Sequence, residues 1–496
     1  MEQNKFRCHF TVILENLGGV FWFAIVMLIS EMDSTVELIG LLLEGKATLL
    51  EVLAGIGIVL AIIMAVLIYN WIVWAKTWIS VQDEAIVIER NLLNRKANTI
   101  GIKNISNINM EQNIFERIVG TYKIKLDTNS ATTADKTDVK IVLSKNMAEQ
   151  FKQQVMLRMN EECEEVLDEK VEYDVEYKAK DIIMHCIYTA NPISVIFIIA
   201  FLVGCIIALN SINTGAAVLD GIINILGSVI AIVFVMGSVL HSLIRDFFVY
   251  YNFKARRKEN KIYLTHGFFK KRQYTIAVDK VNAVEMVSPI FSRILGRQYV
   301  KVVCIGVGDE ENENAMLLLS EKTDHMKEKL SLLLPEFVIA EPDIIKREKK
   351  SVWSTIPGAI FVFGICITTL VMINAFNEIE IEEMWIRILI ATLLVGIPVL
   401  YIVSQILNFK TCGIGLGEDV LLLVQGSYSK TSTWIPYSKI QELEYSQGPI
   451  LRRFGLAKGT IYILASMIDS INPTSYFKLE VFEAIHQRML LRKGKK

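Results

Sequence analysis

The sequence has almost no net charge, few histidines and no nucleotide-binding glycine loop, and each lack removes a class of function. Its 52 basic and 53 acidic residues leave a formal charge of -1, so no global field draws the chain toward nucleic acid. The six histidines, His9, His185, His241, His266, His325 and His486, include no pair at metal-ligand spacing and none beside a nucleophile, which argues against a zinc hydrolase. Gly413-Ile-Gly415-Leu-Gly417 lacks the sixth-position glycine of a dinucleotide fingerprint and reads as a turn in a strand. No Walker-type Gly-Lys-Ser loop occurs. The seven cysteines (Cys8, Cys163, Cys186, Cys205, Cys304, Cys366, Cys412) are widely spaced and suggest neither a disulfide framework nor a zinc site. No catalytic residue, cofactor or metal is therefore expected.

What is abundant is apolar surface. A hydrophobic content of 52% and a mean hydropathy of +0.39 are high for a 496-residue soluble chain of ordinary charge. Six runs are close to the roughly 20 apolar residues that span a bilayer: Thr11 to Ser30, Val52 to Trp74, Ile193 to Leu209, Gly221 to Leu243, Thr355 to Ile373 and Ile386 to Leu407. They come as three hairpins. No short apolar run ends in a small-residue cleavage pattern, so the first is expected to be a retained anchor. Basic residues are nearly missing from the loops inside the hairpins: Glu31 to Glu51 holds only Lys46, while Asn210 to Asp220 and Asn374 to Trp385 hold none. They gather at the other ends, at Lys5 and Arg7, Lys76, Lys178 and Lys180, Arg245 to Lys258, and Lys346 to Lys350. Because basic flanks stay in the cytoplasm, both termini and the three long polar segments are expected there. Trp71, Trp74, Trp78, Phe247, Phe248, Tyr250, Tyr251 and Trp353 suit an interfacial belt at those ends. The spans hold almost no Asp, Glu, Lys or Arg away from their ends, which weakens an ion-coupled transporter.

The three polar segments repeat one pattern. The first copy reads Ile105-Ser-Asn-Ile108 followed by Ile114-Phe115-Glu-Arg117-Ile118-Val-Gly120. The second reads Val281-Asn-Ala-Val284 followed by Ile290-Phe291-Ser-Arg293-Ile294-Leu-Gly296, and the third Ile440-Gln-Glu-Leu443 followed by Ile450-Leu451-Arg452-Arg453-Phe454-Gly455. In each, the arginine stands three positions before the glycine. The pattern predicts a strand running into a short helix that a left-handed glycine stops, with Ser288 capping the helix of the second copy and Pro289 in its first turn. Arg117, Arg293 and Arg452 then read either as local clamps, where each helix meets its barrel, or as three equivalent ligand contacts. Ahead of each motif lies a strand hairpin (Ala85 to Arg90, Ile262 to Gly267, Val420 to Ser427). Behind it come further strands and an amphipathic helix, as at Met147 to Met159 and Thr323 to Leu334. Only about twenty residues separate Gly455 from a helix expected near Tyr476, so the third copy is expected to be shortened.

Strands closed by a terminal helix suggest a small barrel or sandwich. The hairpin, the aliphatic-aromatic-x-Arg-x-x-Gly element and the last helix resemble the bacterial pleckstrin-homology-like domain, formerly a domain of unknown function. Three copies behind three hairpins resemble its multi-pass membrane members. The expected class is thus an α+β membrane protein of six transmembrane helices, with a PH-like barrel or sandwich after each hairpin. Its expected parts are hairpin 1 (1-75), domain 1 (76-160), an acidic linker (161-192), hairpin 2 (193-245), domain 2 (246-336), a basic linker (337-354), hairpin 3 (355-407) and domain 3 (408-496). The resemblance implies a bacterial cytoplasmic membrane and a smaller partner with one hairpin and one domain.

One basic cluster has a functional reading. If Arg256, Arg257 and Lys258 lie beside Lys270, Lys271 and Arg272 across a hairpin, anionic lipid would attract each by about 1 kcal/mol. The other reading is that these charges serve topology and solubility. The function expected is a non-enzymatic scaffold binding a partner protein or the lipid surface, in solution an oligomer or not, with envelope defence against membrane-active peptides as a physiological version. The alternative is a lipid or solute transporter or scramblase with the hairpins as conduit.

Overall fold

The computed structural model describes residues 5-15, 49-92, 94-128, 139-158, 172-190, 237, 243-304, 316-337, 342-375, 384-465 and 471-493. The chain divides into two compact units, one of Met1–Asn129 with Thr137–Val171 and one of Ser130–Lys136 with Glu172–Lys496. The first holds one copy of the repeat. The second holds two.

In the first unit β1 (Lys5–Phe6), β2 (Thr77–Val81), β3 (Ala85–Asn91) and β4 (Arg95–Gly101) form a four-stranded antiparallel sheet. After a single 3-10 turn, β5 (Ile105–Asn113), β6 (Thr121–Thr128) and β7 (Val139–Ser144) pair in sequence order. The long helix α1 (Leu49–Ala75) covers the second predicted span. The short motif helix α2 (Ile114–Val119) follows β5, and α3 (Lys145–Arg158) closes the core with Ala148, Phe151, Val155 and Met156.

The second copy repeats this plan with β8 (Val175–Glu176), β9 (Lys254–Lys258), β10 (Lys261–His266) and β11 (Lys270–Ala277), then β12 (Ala283–Ser288), β13 (Arg297–Val303) and β14 (Met316–Lys322). Its helices are α4 (Ala179–Thr189), α5 (Ile290–Ile294) and the closing α6 (Thr323–Leu333). The third copy has α7 (Ile356–Ala375) and α8 (Met384–Thr411), strands β15 (Ile344–Lys346), β16 (Gly413–Leu416), β17 (Val420–Gln425), β18 (Lys430–Pro436), β19 (Ile440–Ser446), β20 (Leu456–Ile463) and β21 (Ile471–Lys478), and helices α9 (Pro449–Arg452) and α10 (Leu479–Lys493). These are three repeated β-sheet domains of PH-like plan.

The domain boundaries differ from the sequence expectation in a systematic way. Each first sheet begins with a strand contributed before the apolar hairpin, since β1 pairs with β2, β8 with β9 and β15 with β16. The segments expected as linkers at 161-192 and 337-354 therefore include structural parts of the next domain: β8 with α4, and β15 with a 3-10 helix at Lys349–Thr355. A two- or three-residue edge strand carries too little periodicity to be read from sequence. The third domain is also not shortened. Tyr476 lies in β21, eight residues long and paired with the equally long β20, and the helix starts only at Leu479. Gly413 and Gly415 sit in β16, where a side chain would meet Ile344 and Pro342 of the preceding edge segment.

The second and third domains are not separate barrels. Strand β12 pairs antiparallel with β18, Val284 opposite Trp434 and Ser288 opposite Lys430, in one sheet ordered β14-β13-β12-β18-β17-β16-β15. Its two faces serve two cores. Val420, Leu422, Val424 and Trp434 join the core of the second domain, whereas Leu421, Leu423 and Ile435 join that of the third, together with Ala283 and Val303 from the second. A strand buried on both faces reads as a continuous apolar run, as Val420-Leu-Leu-Leu-Val424 does.

Of the six predicted spans, Thr355 to Ile373 and Ile386 to Leu407 fall on α7 and α8, and two stretches here, Lys349–Thr369 and Leu394–Thr411, are long and apolar enough to cross a membrane. Ile360, Phe361, Ile367, Val395 and Leu400 stand exposed on these helices. The second span lies on α1, whose apolar part is described over Ile63–Ala75. The third span, most of the first and fourth spans, most of the loops inside the hairpins and most of the acidic segment lie outside the described residues.

Candidate membrane-proximal interface

The turns at the ends of the strand hairpins sit beside the ends of the apolar helices. In the second domain residues 243-250 are helical and directly follow the fourth predicted span. The β10–β11 turn is tied to them, the Gly267 amide donating to the Tyr251 carbonyl (2.8 Å) and the Phe268 amide to the Phe248 carbonyl (2.9 Å). The turn requires glycine at 267, because its φ is +110° and a Cβ there would overlap the Lys270 carbonyl. Gly426 occupies the same place in the third domain, with φ +112° and the Ser429 carbonyl in the way.

Four aromatic rings converge on the turn of the second domain. Phe248 lies 4.4 Å from Phe269 and 5.3 Å from Phe268, and Tyr251 lies 5.2 Å from Phe268. Phe268 and Phe269 are exposed. Tyr250, by contrast, is a core residue and not part of a belt. Lys270, Lys271 and Arg272 start β11 next to these rings. The arrangement joins exposed apolar rings to basic side chains at the end of an apolar segment, the chemistry of a headgroup boundary.

The six-residue basic cluster does not form. Strand β10 lies between β9 and β11, and the registers set Arg256, Arg257 and Lys258 level with Thr275, Ile276 and Ala277, at the end of the sheet away from Lys270, Lys271 and Arg272. Arg257 is engaged structurally. It forms a two-pronged ion pair with Glu336 (2.7 and 2.5 Å), donates to the Leu333 carbonyl (3.2 Å), and holds the Glu336 carboxyl below its usual range, chiefly through that hydrogen bonding. Arg256 is buried with its guanidinium 4.9 Å from the Tyr263 ring.

The motif glycines Gly120, Gly296 and Gly455 are left-handed, with φ of 77°, 62° and 65°. Pro289, not Ser288, precedes the first helical residue of α5, and the Ser288 hydroxyl instead donates to the Arg297 carbonyl (3.0 Å). Arg293 does meet carbonyls, but they belong to the next copy. Its Nη1 donates to the Ser427 carbonyl (2.6 Å) in the β17–β18 turn, and its Nη2 to Thr411 Oγ1 (2.8 Å) at the end of α8. Tyr428 of that turn donates to the Leu400 carbonyl on α8 (2.7 Å). Asn282 adds a bond to the Leu464 carbonyl (2.5 Å), and Lys439 one to the Asp279 carbonyl. Arg117 and Arg452 stand exposed on α2 and α9.

Sequence reasoning missed Arg347, read there only as a topological charge. It is buried and holds the entry to α7 against the end of α8, donating to Ser351 Oγ (2.6 Å), Ser354 Oγ (3.2 Å) and Asn408 Oδ1 (3.0 Å). Burial lowers its pKa. The signal available was Ser351, Ser354 and Asn408 at helix ends, which is common in any chain. Among the described residues no group of three or more His, Cys, Asp or Glu could hold a metal ion. His185, inside the second domain, accepts the Ser320 amide at Nδ1 (3.1 Å), and burial lowers its pKa to about 3.

A repeated two-sheet domain closed by a helix, with an apolar segment between its first and second strands, defines a class of PH-like proteins. The Bacterial PH domain family matches the chain three times, over residues 35–159, 195–329 and 362–490, well over half its length, and the chain belongs to that family. It is similar to the UPF0699 transmembrane protein YdbT of Bacillus subtilis (strain 168), with 25% identity over 297 residues. That similarity covers 54% of this chain and 58% of the relative, so the chain spans under two thirds of the relative's length. No solved structure matches.

Proposed function

We propose that this chain is a multi-pass protein of the bacterial cytoplasmic membrane and a non-catalytic scaffold, with its termini and three PH-like domains on the cytoplasmic side, where they meet the lipid surface or a partner protein. The observation that carries this reading is the pairing of the strand before each hairpin with the strand after it. An apolar segment whose two ends are held one strand apart, about 4.8 Å, must leave and return on one side, which favours paired crossings. The basic asymmetry of the flanks and the description of the YdbT relative as a transmembrane protein support the same arrangement. Envelope defence against membrane-active peptides remains a role such a scaffold suits.

Lipid contact is assigned to the Phe268-Phe269-Lys270-Lys271-Arg272 turn, because exposed rings and basic groups converge there at the end of an apolar segment. The test is hydrogen exchange of the full chain in nanodiscs, with neutral lipid and with added phosphatidylglycerol. Slower exchange over residues 267-273 with the anionic lipid, lost on replacing Lys270, Lys271 and Arg272 by Gln, is the expected result. Identical exchange in both lipids would remove lipid contact, and movement of lipid or solute by the purified protein in vesicles would favour the conduit reading instead.

A further inference from the structure

The joint between the second and third domains leaves two complementary ends unused. Its parts are an outer strand of a second sheet (β12), a last strand of the next first sheet (β18), and the motif arginine reaching the following turn (Arg293 to Ser427). At one end of the chain β4 is the counterpart of β18, and among the described residues it pairs only with β3. At the other end β19 is the counterpart of β12, and among the described residues it pairs only with β20.

Exposure follows this assignment. Ser432, Thr433, Trp434 and Ile435 of β18 are buried, whereas Arg95 to Thr99 of β4 are exposed. In β12 no residue is fully exposed, whereas Gln441, Glu442, Glu444, Tyr445 and Ser446 of β19 all are. An open sheet edge is a template for another strand, and proteins commonly guard it with charge. Here the two edges carry opposite charge. Strand β4 brings Arg95 and Lys96, and β19 brings Glu442 and Glu444.

We propose that β19 of one chain pairs antiparallel with β4 of a second copy of the same chain, reproducing the β12–β18 joint. Carrying over the observed register sets Leu443 opposite Thr99, Glu444 opposite Asn98, Tyr445 opposite Ala97 and Ser446 opposite Lys96. Glu444 then lies diagonally across from Lys96 on one face of the joint, with Glu442 one step further along the same face. Arg452, exposed on α9, takes the place of Arg293 and reaches the Leu92 carbonyl in the β3–β4 turn of the second copy. Two β4 edges repel each other, as do two β19 edges, so the contact is head to tail and generates a ring or a row in the membrane plane. The inference names a partner for the scaffold, and its failure leaves the lipid contact untouched.

The test uses the full chain, solubilised mildly, in two tagged forms expressed together, one carrying Ala97→Cys and the other Tyr445→Cys. The expected result is a disulfide between peptides containing positions 97 and 445 of different chains, and a particle mass above one chain. Reversing Glu442 and Glu444 to Lys should weaken self-association at least tenfold without changing the melting temperature, and mixing with a chain carrying Arg95→Glu and Lys96→Glu should restore it. A single-chain mass without the 97–445 link would overturn the proposal. So would self-association indifferent to these reversals, or a smaller PH-like protein occupying β19 in place of a second copy.

Discussion

Arg293 Nη1 donates to the Ser427 carbonyl at 2.6 Å, joining the motif helix of one domain to a turn of the next. Because the same guanidinium also holds Thr411 at the end of α8, one side chain fixes the sheet joint to an apolar helix. Removing a half-buried, charge-assisted donor of this kind costs about 1 to 3 kcal/mol. Arg293→Ala in the full chain should therefore speed hydrogen exchange in β18 while leaving β6 and β7 unchanged. Unchanged exchange in β18 together with lost partner binding would make the arginine a ligand contact.

Gly267→Ala and Gly426→Ala should each destabilise their domain. Added Cβ atoms meet the carbonyls of Lys270 and Ser429, and φ near +110° is a region almost reserved for glycine. A loss of about 1 to 3 kcal/mol is expected, read as a lower melting temperature of the purified protein. Gly364→Ala, in open space on α7, serves as the control.

Leu422 and Leu423 are adjacent yet belong to different cores. Truncating either to Ala should cost about 2 to 5 kcal/mol. Leu422→Ala should raise proteolytic susceptibility in the second domain, around β13 and α6, although the residue lies in the third copy. Leu423→Ala should act around β20 and α10. If both variants loosened only the third domain, the shared sheet would be disproved.

His185 makes stability depend on pH. Its ordinary pKa is 6.5, and burial lowers it to about 3 in the folded domain. Between these values the unfolded chain takes up a proton that the folded domain refuses. Stability from this residue is full above about pH 6.5 and falls with acidification, by at most about 1.4 kcal/mol per pH unit. Melting temperatures measured from pH 7 to pH 5 should fall less steeply for His185→Gln than for the parent protein.

Orientation can be read by labelling. In a cysteine-free variant, single cysteines at Ser34, Thr214 and Asn377 should react with an impermeant reagent from outside intact cells, and those at Ser130, Asn312 and Ser470 should not. Reaction at Asn312 would reverse the sidedness argued from the basic flanks.

Whatever is local or periodic could be read from the order of residues alone. Apolar runs of span length, the bias of Lys and Arg, the arginine-to-glycine spacing and the hairpins ending in Gly267 and Gly426 are legible, because hydropathy and turn chemistry act within a few residues. Four relationships were decided only by tertiary structure. Two or three residues at Val175–Glu176 or Ile344–Lys346 become strands only when a partner more than sixty positions later lies beside them. The third domain is complete because its loop between β20 and β21 is short, a loss of length that resembles a lost strand. The basic cluster divides because β10 runs between its two halves, and strand order is not written in composition. The partners of Arg293 lie 118 and 134 positions away, in the next copy. An arginine's spacing to a glycine reports where it stands on a helix, whereas what it holds depends on which sheet edge the chain later brings alongside.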